Sequence, residues 1–131
     1  MTAEQALADL TEISSQVEAA ALFDAKGKVA ASTLSESEPF VRAVQDLLAA
    51  AAEVRQGSVN QLEASTLAGS VFVVRDGDSY IVATTGPEPT VALVFYDLKT
   101  ALRAAASASE KKPAPRRRAP KKKPEGDGDA A

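Results

Sequence analysis

Few residues of this chain have the side-chain chemistry that catalysis needs, because its 131 residues include no histidine and no cysteine. Imidazole bases, thiolate nucleophiles and Cys/His zinc sites are therefore excluded. The hydroxyls of Ser79, Thr84 and Thr85 have no obvious base to activate them. No G-x-x-x-x-G-K-[ST] phosphate-binding motif occurs either. We predict a protein without catalytic residues and without a cofactor, which acts through its surfaces.

Three aspartates in glycine-containing turns, Asp24, Asp76 and Asp78, are the candidates for a metal site, since paired carboxylates can bind Ca²⁺. Their D-A-K-G and D-G-D settings are, however, typical of hairpin turns, in which aspartate bonds its own backbone and glycine takes a positive φ. They also lack the spaced ligands of an EF-hand loop. We interpret them as turn residues and predict no metal site.

A basic, proline-rich segment, residues 110–131, ends the sequence and holds 8 of its 15 basic residues but 4 of its 18 acidic ones. It has no periodic apolar residues to offset its ordering entropy, so we expect a disordered tail. Such a tail either attracts polyanions (DNA, RNA or an anionic membrane surface) without sequence specificity or only solubilises the protein. The candidate polyanion-binding residues are Lys111, Lys112, Arg116, Arg117, Arg118, Lys121, Lys122 and Lys123.

The remaining body, residues 1–109, has the size of a single domain with one core. It carries 7 basic and 14 acidic residues, so its net charge of −7 opposes the +4 of the tail. The N-terminal sequence lacks a basic stretch followed by an apolar one, and no apolar run approaches the roughly 20 residues that span a bilayer. We therefore expect a cytoplasmic protein without a transmembrane segment.

Apolar spacing predicts a first helix that opens on Thr2 and Gln5, a capping-box pair. Two short apolar strands, 17–23 and 28–32, follow and are joined by the turn that begins at Asp24. Both strands are apolar on both faces, as expected for a sheet that is covered on both sides. The predicted apolar face of the helix includes Leu7, Leu10 and Ile13.

A second helix is predicted over 38–54, with Ser37 as its N-cap and Gly57 as the left-handed residue at its end. The run LLAAAA at 47–52 has more small apolar residues than one buried stripe needs, which favours a second contact surface. The more polar strand at 59–65 is typical of a sheet edge. The predicted apolar stripe of the helix comprises Phe40, Val44, Leu47, Leu48, Ala51 and Val54.

Two strong strand signals, 70–75 and 79–85, flank Asp76-Gly77 and predict a hairpin. After the break at Gly86-Pro87, the run 91–96 fits either a strand or the start of a helix. We favour a helix, because Thr90 is a suitable N-cap and the apolar residues that follow keep helical spacing.

The element order is helix, two-strand hairpin, helix, three-strand meander, helix. Together with the segments ALFDAKGKVAAST, VFVVRDGDSYIVATTG and VALVFYDLKTALRA, it resembles the Roadblock/dynein-light-chain family, over about residues 6–106. The resemblance is greatest to the bacterial members, which are partners and regulators of small Ras-like GTPases. It implies an α+β fold of the profilin-like α/β/α kind: a five-stranded antiparallel sheet with one long helix on one face and the terminal helices on the other.

The resemblance also implies a homodimer, formed through the middle helix and the edge strand that follows it. The width of the apolar run in that helix and the unpartnered edge agree with this. A non-enzymatic regulator or scaffold of a small Ras-like GTPase is the function implied, and the basic tail lies outside the family pattern. The predicted interface comprises Phe40, Val44, Leu47, Leu48, Ala51, Val54, Val59, Gln61 and Glu63.

Overall fold

The computed structural model describes residues 2–111, with side chains described through residue 106. Three helices and five strands alternate in the order expected from the sequence. The elements are α1 (Ala3–Ile13), β1 (Val17–Asp24), β2 (Val29–Ser32), α2 (Ser37–Arg55), β3 (Gln61–Ser65), β4 (Ser70–Asp76), β5 (Ser79–Thr85) and α3 (Val91–Lys111).

The strands form one antiparallel sheet in the order β2-β1-β5-β4-β3. Tight hairpins join β1 to β2 and β4 to β5, while β1 pairs with β5 across the middle of the sheet. The described strands β2 and β3 therefore form its two edges. This confirms the predicted five-stranded antiparallel sheet and the edge position of the polar third strand.

The sheet is covered on both faces, which explains why its central strands are apolar without alternation. On one face α1 and α3 enclose a core that includes Phe72, Ile81 and Leu98. On the other face α2 packs over a smaller core that includes Val73 and Val82. The α+β sandwich with one long helix opposite the two terminal helices is thus confirmed.

The start of α1 follows the predicted capping box. The Thr2 hydroxyl accepts a hydrogen bond from the Gln5 backbone N–H at 3.1 Å, and the Gln5 side-chain oxygen accepts one from the Thr2 N–H at 2.9 Å. Leu7 and Leu10 are buried as expected. Ile13 is not: its side chain is 71% exposed, because α1 ends there and the chain turns away toward β1.

Helix α2 begins and ends differently from the prediction. Ser37 is its first residue rather than its N-cap, and Glu36 holds the cap position without a side-chain hydrogen bond. Gln56, not Gly57, adopts the left-handed conformation at the C-terminus, with φ 55°. The helix stops one residue earlier than Gly57 would require, and the Gly57 N–H then donates to the Ala52 carbonyl at 3.1 Å.

The ambiguous run at 91–96 is helical. Val94 N–H donates to the Thr90 carbonyl at 3.0 Å, which closes the first turn of α3. The helix continues to Lys111, so two residues that we assigned to the tail belong to its last turn. The remaining tail residues, including the basic residues from Lys112 onward, lie outside the described part of the chain, and the disorder expected for them stays a prediction.

Candidate partner-binding surfaces

Asp24, one of the three candidate metal-binding aspartates, is held in its turn by hydrogen bonds to the backbone. Asp24 Oδ1 accepts hydrogen bonds from the backbone N–H groups of Lys26 and Lys28, both at 2.9 Å, while Gly27 takes φ 87°. The bond from Lys28 N–H is the main reason that the pKa of the Asp24 carboxyl lies below its ordinary value. These bonds confirm the turn role of Asp24. Among the residues whose side chains the structure describes, no group of three or more acidic side chains is arranged to hold a metal ion.

An apolar stripe follows one flank of α2 beside its buried face. The residues that bury the helix against the sheet are Val41 and Val44. Val41 was missing from the predicted stripe. The other predicted members are less covered: Phe40, Leu47, Leu48 and Ala51 are half-buried, and Val54 is 79% exposed. Because the stripe has more apolar residues than the sheet covers, part of it remains available for a second contact.

Strand β3 pairs, among the described strands, with β4 alone. Its side chains alternate between the two faces of the sheet. Leu62 packs against the core under α2, together with Phe40 and Val71. The half-buried Ala64 stands opposite Val71 and shares that face.

Two residues of the predicted interface lie on the other face. Gln61 and Glu63 are exposed and stand opposite Val74 and Phe72, which both belong to the core under α1 and α3. Their side chains therefore do not lie with the α2 stripe, although their backbone forms the same edge. Val59 precedes β3 and is half-buried. On the α2 side of β3 lie instead Leu62 and Ala64, which the predicted interface did not include and which the alternation of β3 could have indicated.

The apolar residues on the flank of α2 and on the α2 side of β3 and β4 are together named the α2–β3 surface, which the sheet and helix cover only in part. Arg75 of β4 lies at its end, on the same face as Val71 and Val73. Its Nη2 donates to Asn60 Oδ1 at 3.3 Å, while its Nε is buried without a hydrogen-bond partner among the described residues. The α2–β3 surface comprises Phe40, Leu47, Leu48, Ala51, Val54, Leu62, Ala64 and Val71.

Two arginines, Arg42 and Arg55, are the basic residues of α2, and both are exposed. Within the described residues, no helix is both long enough and apolar enough to cross a bilayer.

Comparison with known proteins identifies the architecture through structure rather than sequence. No protein-family model matches the sequence, and a comparison with curated proteins finds no match. Solved structures do match. A Roadblock/LC7 domain from Streptomyces avermitilis superimposes with a TM-score of 0.73 at 15% identity, covering 84% of this chain and 99% of that domain.

Two further structures have the same arrangement of elements. The gliding protein MglB from Thermus thermophilus gives a TM-score of 0.71 at 17% identity, over 83% of this chain and 89% of MglB. LokiProfilin2, solved in complex with rabbit actin, gives 0.60 at 12% identity, over 79% of this chain and 95% of the matched chain. The resemblance noted in the sequence is thus confirmed for the fold: this chain has the Roadblock/LC7 fold, to which profilins are structurally similar.

Proposed function

We propose that this protein is a non-enzymatic, dimeric member of the Roadblock family that binds and regulates a small Ras-like GTPase. The observation that carries the proposal is the α2–β3 surface, an unpartnered sheet edge flanked by a half-covered apolar helix on a Roadblock/LC7 fold. Structural likeness to MglB and the sequence resemblance to bacterial Roadblock proteins support the choice of a GTPase as partner.

The proposed dimer places two β3 edges side by side and packs the two α2 helices against each other. A twofold axis makes such a contact self-complementary, so each residue of the α2–β3 surface meets the same surface of the partner. Pairing the edges extends the two five-stranded sheets into one and removes an exposed edge. In this dimer the partner also covers Val54. It supplies a hydrogen-bond acceptor for the buried Arg75 Nε, which removes the free-energy cost of an unpaired donor.

Regulation of the GTPase is proposed to act by positioning the residues of the GTPase itself. The family resemblance implies no arginine finger, and Arg42 and Arg55 are the arginines that α2 offers. An arginine finger contributes about 10³–10⁵ to the rate of hydrolysis. Replacing both arginines with alanine should therefore leave most of any stimulation in place, and a loss of about a thousandfold would show that one of them acts as such a finger.

The test is to mix the full chain with candidate Ras-like GTPases, beginning with one encoded nearby, in GDP-bound and GTP-analogue-bound states. Calorimetry measures binding, and phosphate release measures hydrolysis. We expect a complex that depends on the nucleotide. Ala51→Glu, which disrupts the proposed dimer, should weaken that complex, while Ala8→Glu on the exposed face of α1 is a matched control. Absence of binding in both nucleotide states would contradict the proposal.

A second candidate function rests on the composition of the tail. Residues 110–131 carry a net charge of +4, with clustered lysines and arginines and no aromatic residue to stack on bases. Such a segment favours non-specific binding to polyanions, and a dimer would present two copies and raise the avidity. In that case the folded domain serves only to pair the tails. The full chain then binds nucleic acid and binds no Ras-like GTPase in either nucleotide state.

A further inference from the structure

An apolar groove of about 190 Å³ lies between α1 and α3, on the side of the sheet opposite the α2–β3 surface. Its rim carries two large apolar side chains that are exposed: Ile13 at 71% and Tyr96 at 68%. The lining residues show that the two helices run antiparallel. Ile13 and Tyr96 line the groove together, while Ala3 and Ala105 line a cavity at its other end. The groove thus has an exposed aromatic ring at its rim.

The charges of this groove are acidic. Asp9 of α1 and Asp97 of α3 line it, and α1 as a whole has three acidic residues and no basic one. Among the α3 residues whose side chains the structure describes, Lys99 and Arg103 are basic, and both line a separate hollow beside β3 and β4. An apolar groove with an exposed tyrosine and two carboxylates suits a proline-containing basic peptide, because aromatic rims hold the proline rings and carboxylates hold the cations.

The chain itself supplies such a peptide at the right place. The sequence after Lys111 is KPAPRRRAPKKKP, with four prolines and two basic clusters. Asp97 lies fourteen residues before Lys111, which is about 21 Å along the axis of α3. In an extended proline-type conformation, the seven residues from 112 to Arg118 span about 22 Å. A tail that doubles back along α3 therefore brings its arginine cluster to the level of the acidic groove.

We propose that the α1–α3 groove binds the chain's own basic tail, residues 112–124, with Pro120 against Tyr96 and Ile13 and the arginines of 116–118 against Asp9 and Asp97. Because the tail is joined to α3, its effective concentration at the groove is on the order of millimolar, so individually weak contacts suffice. The docked tail holds its cations against the body's carboxylates. It is then less available to polyanions, and rising salt releases it.

The experiment uses the full chain and exploits the absence of cysteine. A single Ala119→Cys substitution carries a nitroxide spin label, and its proximity to each backbone amide is measured as paramagnetic line broadening in the ¹⁵N-labelled protein. At about 20 mM salt we expect strong broadening along α1 and α3 and weak broadening along α2, which lies on the opposite face. At about 0.5 M salt, where screening is strong, the difference should disappear.

A pair of variants tests the charges. Asp9→Asn with Asp97→Asn should reduce the broadening of α1 and α3 to the level seen for α2. Asp46→Asn with Glu53→Gln, which removes the same charge from α2, should leave it unchanged. Equal broadening on both faces of the sheet at low salt, or broadening that the Asp9/Asp97 variant does not reduce, would overturn the proposal.

A mixed sample identifies which chain supplies the tail. Here ¹⁵N-labelled chains without a spin label are combined with unlabelled chains that carry the nitroxide. Broadening in the groove of the labelled chains should then be absent. If it is as strong as in the first experiment, the tail comes from a second copy of the chain and docking on its own groove is excluded.

Discussion

Leu62 and Val73 stand opposite each other across the β3–β4 ladder, yet Val73 is 1% exposed and Leu62 remains half-buried. The difference arises because β4 is flanked by strands on both sides, while β3 is the last described strand of the sheet. Helix α2 approaches the backbone of β1 and β2 most closely, at the other end of the sheet. Leu62 packs against the core under α2 but stays partly exposed at the sheet edge, and in the proposed dimer a second copy of the α2–β3 surface would complete its burial.

The proposed dimer predicts a specific effect of Ala51→Glu. This residue is half-buried on the apolar flank of α2, so a glutamate there would place a carboxylate in the interface. Burying one such carboxylate without a partner costs about 3 kcal/mol, and a twofold dimer carries two, so the dimer is weakened roughly ten-thousandfold. Light scattering across a concentration series should show a dimer for the wild type and a monomer for the variant at micromolar concentration.

Ala8→Glu on the exposed face of α1 is the control, since it adds the same side chain on the opposite face of the sheet. It should leave the molar mass unchanged. A wild-type protein that scatters as a monomer at micromolar concentration would refute the pairing of β3 edges.

Gly69→Ala is expected to destabilise the fold far more than the same change at another turn glycine. Gly69 has φ 155°, and a Cβ there would overlap the carbonyl oxygen of Thr85, a backbone atom that cannot move aside alone. We expect a loss of roughly 3 kcal/mol or more in the free energy of unfolding. Gly77→Ala is the matched control: it has φ 64° but open space around it, so its cost should be about 1 kcal/mol.

Urea unfolding of both variants would measure the two losses. Equal losses would mean that the backbone near Thr85 relaxes to accept the methyl group.

The Asp24 carboxylate predicts a pH dependence of stability at acidic pH. Hydrogen bonds from backbone N–H groups, that of Lys28 first, hold the pKa of Asp24 below its ordinary value of 3.8. Its stabilising effect is therefore complete above the pKa of the unfolded chain and is lost as the pH falls through the lower pKa of the folded state. The difference in the free energy of unfolding between wild type and Asp24→Asn should be constant from about pH 7 to pH 5. It should become smaller below about pH 4.

Urea unfolding at a series of pH values would measure this gap. Asp78→Asn in the β4–β5 turn removes the same charge from the other hairpin and reports the general effect of net charge. A gap for Asp24→Asn that widens on acidification would contradict the proposed hydrogen-bonding role.

The tail predicts a salt-dependent affinity for nucleic acid if the second candidate function holds. Each cation that neutralises a phosphate of duplex DNA changes the slope of log K against log salt by about 0.9. Replacing Arg116, Arg117 and Arg118 with alanine in the full chain should therefore flatten the slope by up to about 2.7. Fluorescence anisotropy with a labelled duplex measures it. Absence of any salt-sensitive binding by the wild type would rule this function out.

The helix cap and the hairpin turn could be predicted from the sequence, because both depend on hydrogen bonds between residues that are close along the chain. The pair Thr2 and Gln5 caps α1 through bonds three residues apart. The Asp24 turn closes through bonds two and four residues apart. Such contacts form in the same way whatever the rest of the chain does, so pattern alone predicted them. The ends of α2 were less predictable, since Gln56 takes the left-handed conformation despite the glycine that follows it.

The sequence by itself also determined that the protein acts without histidine or cysteine chemistry, and that an apolar helix and a polar edge strand follow each other. Only the tertiary structure decided which side chains meet. Leu62 rather than Glu63 joins the flank of α2, because strand alternation sends neighbours to opposite faces of the sheet. Ile13 and Tyr96, distant along the chain, share a groove only because α1 and α3 pack antiparallel on one face. Contacts of that kind depend on how whole elements are placed, and no local pattern contains that information.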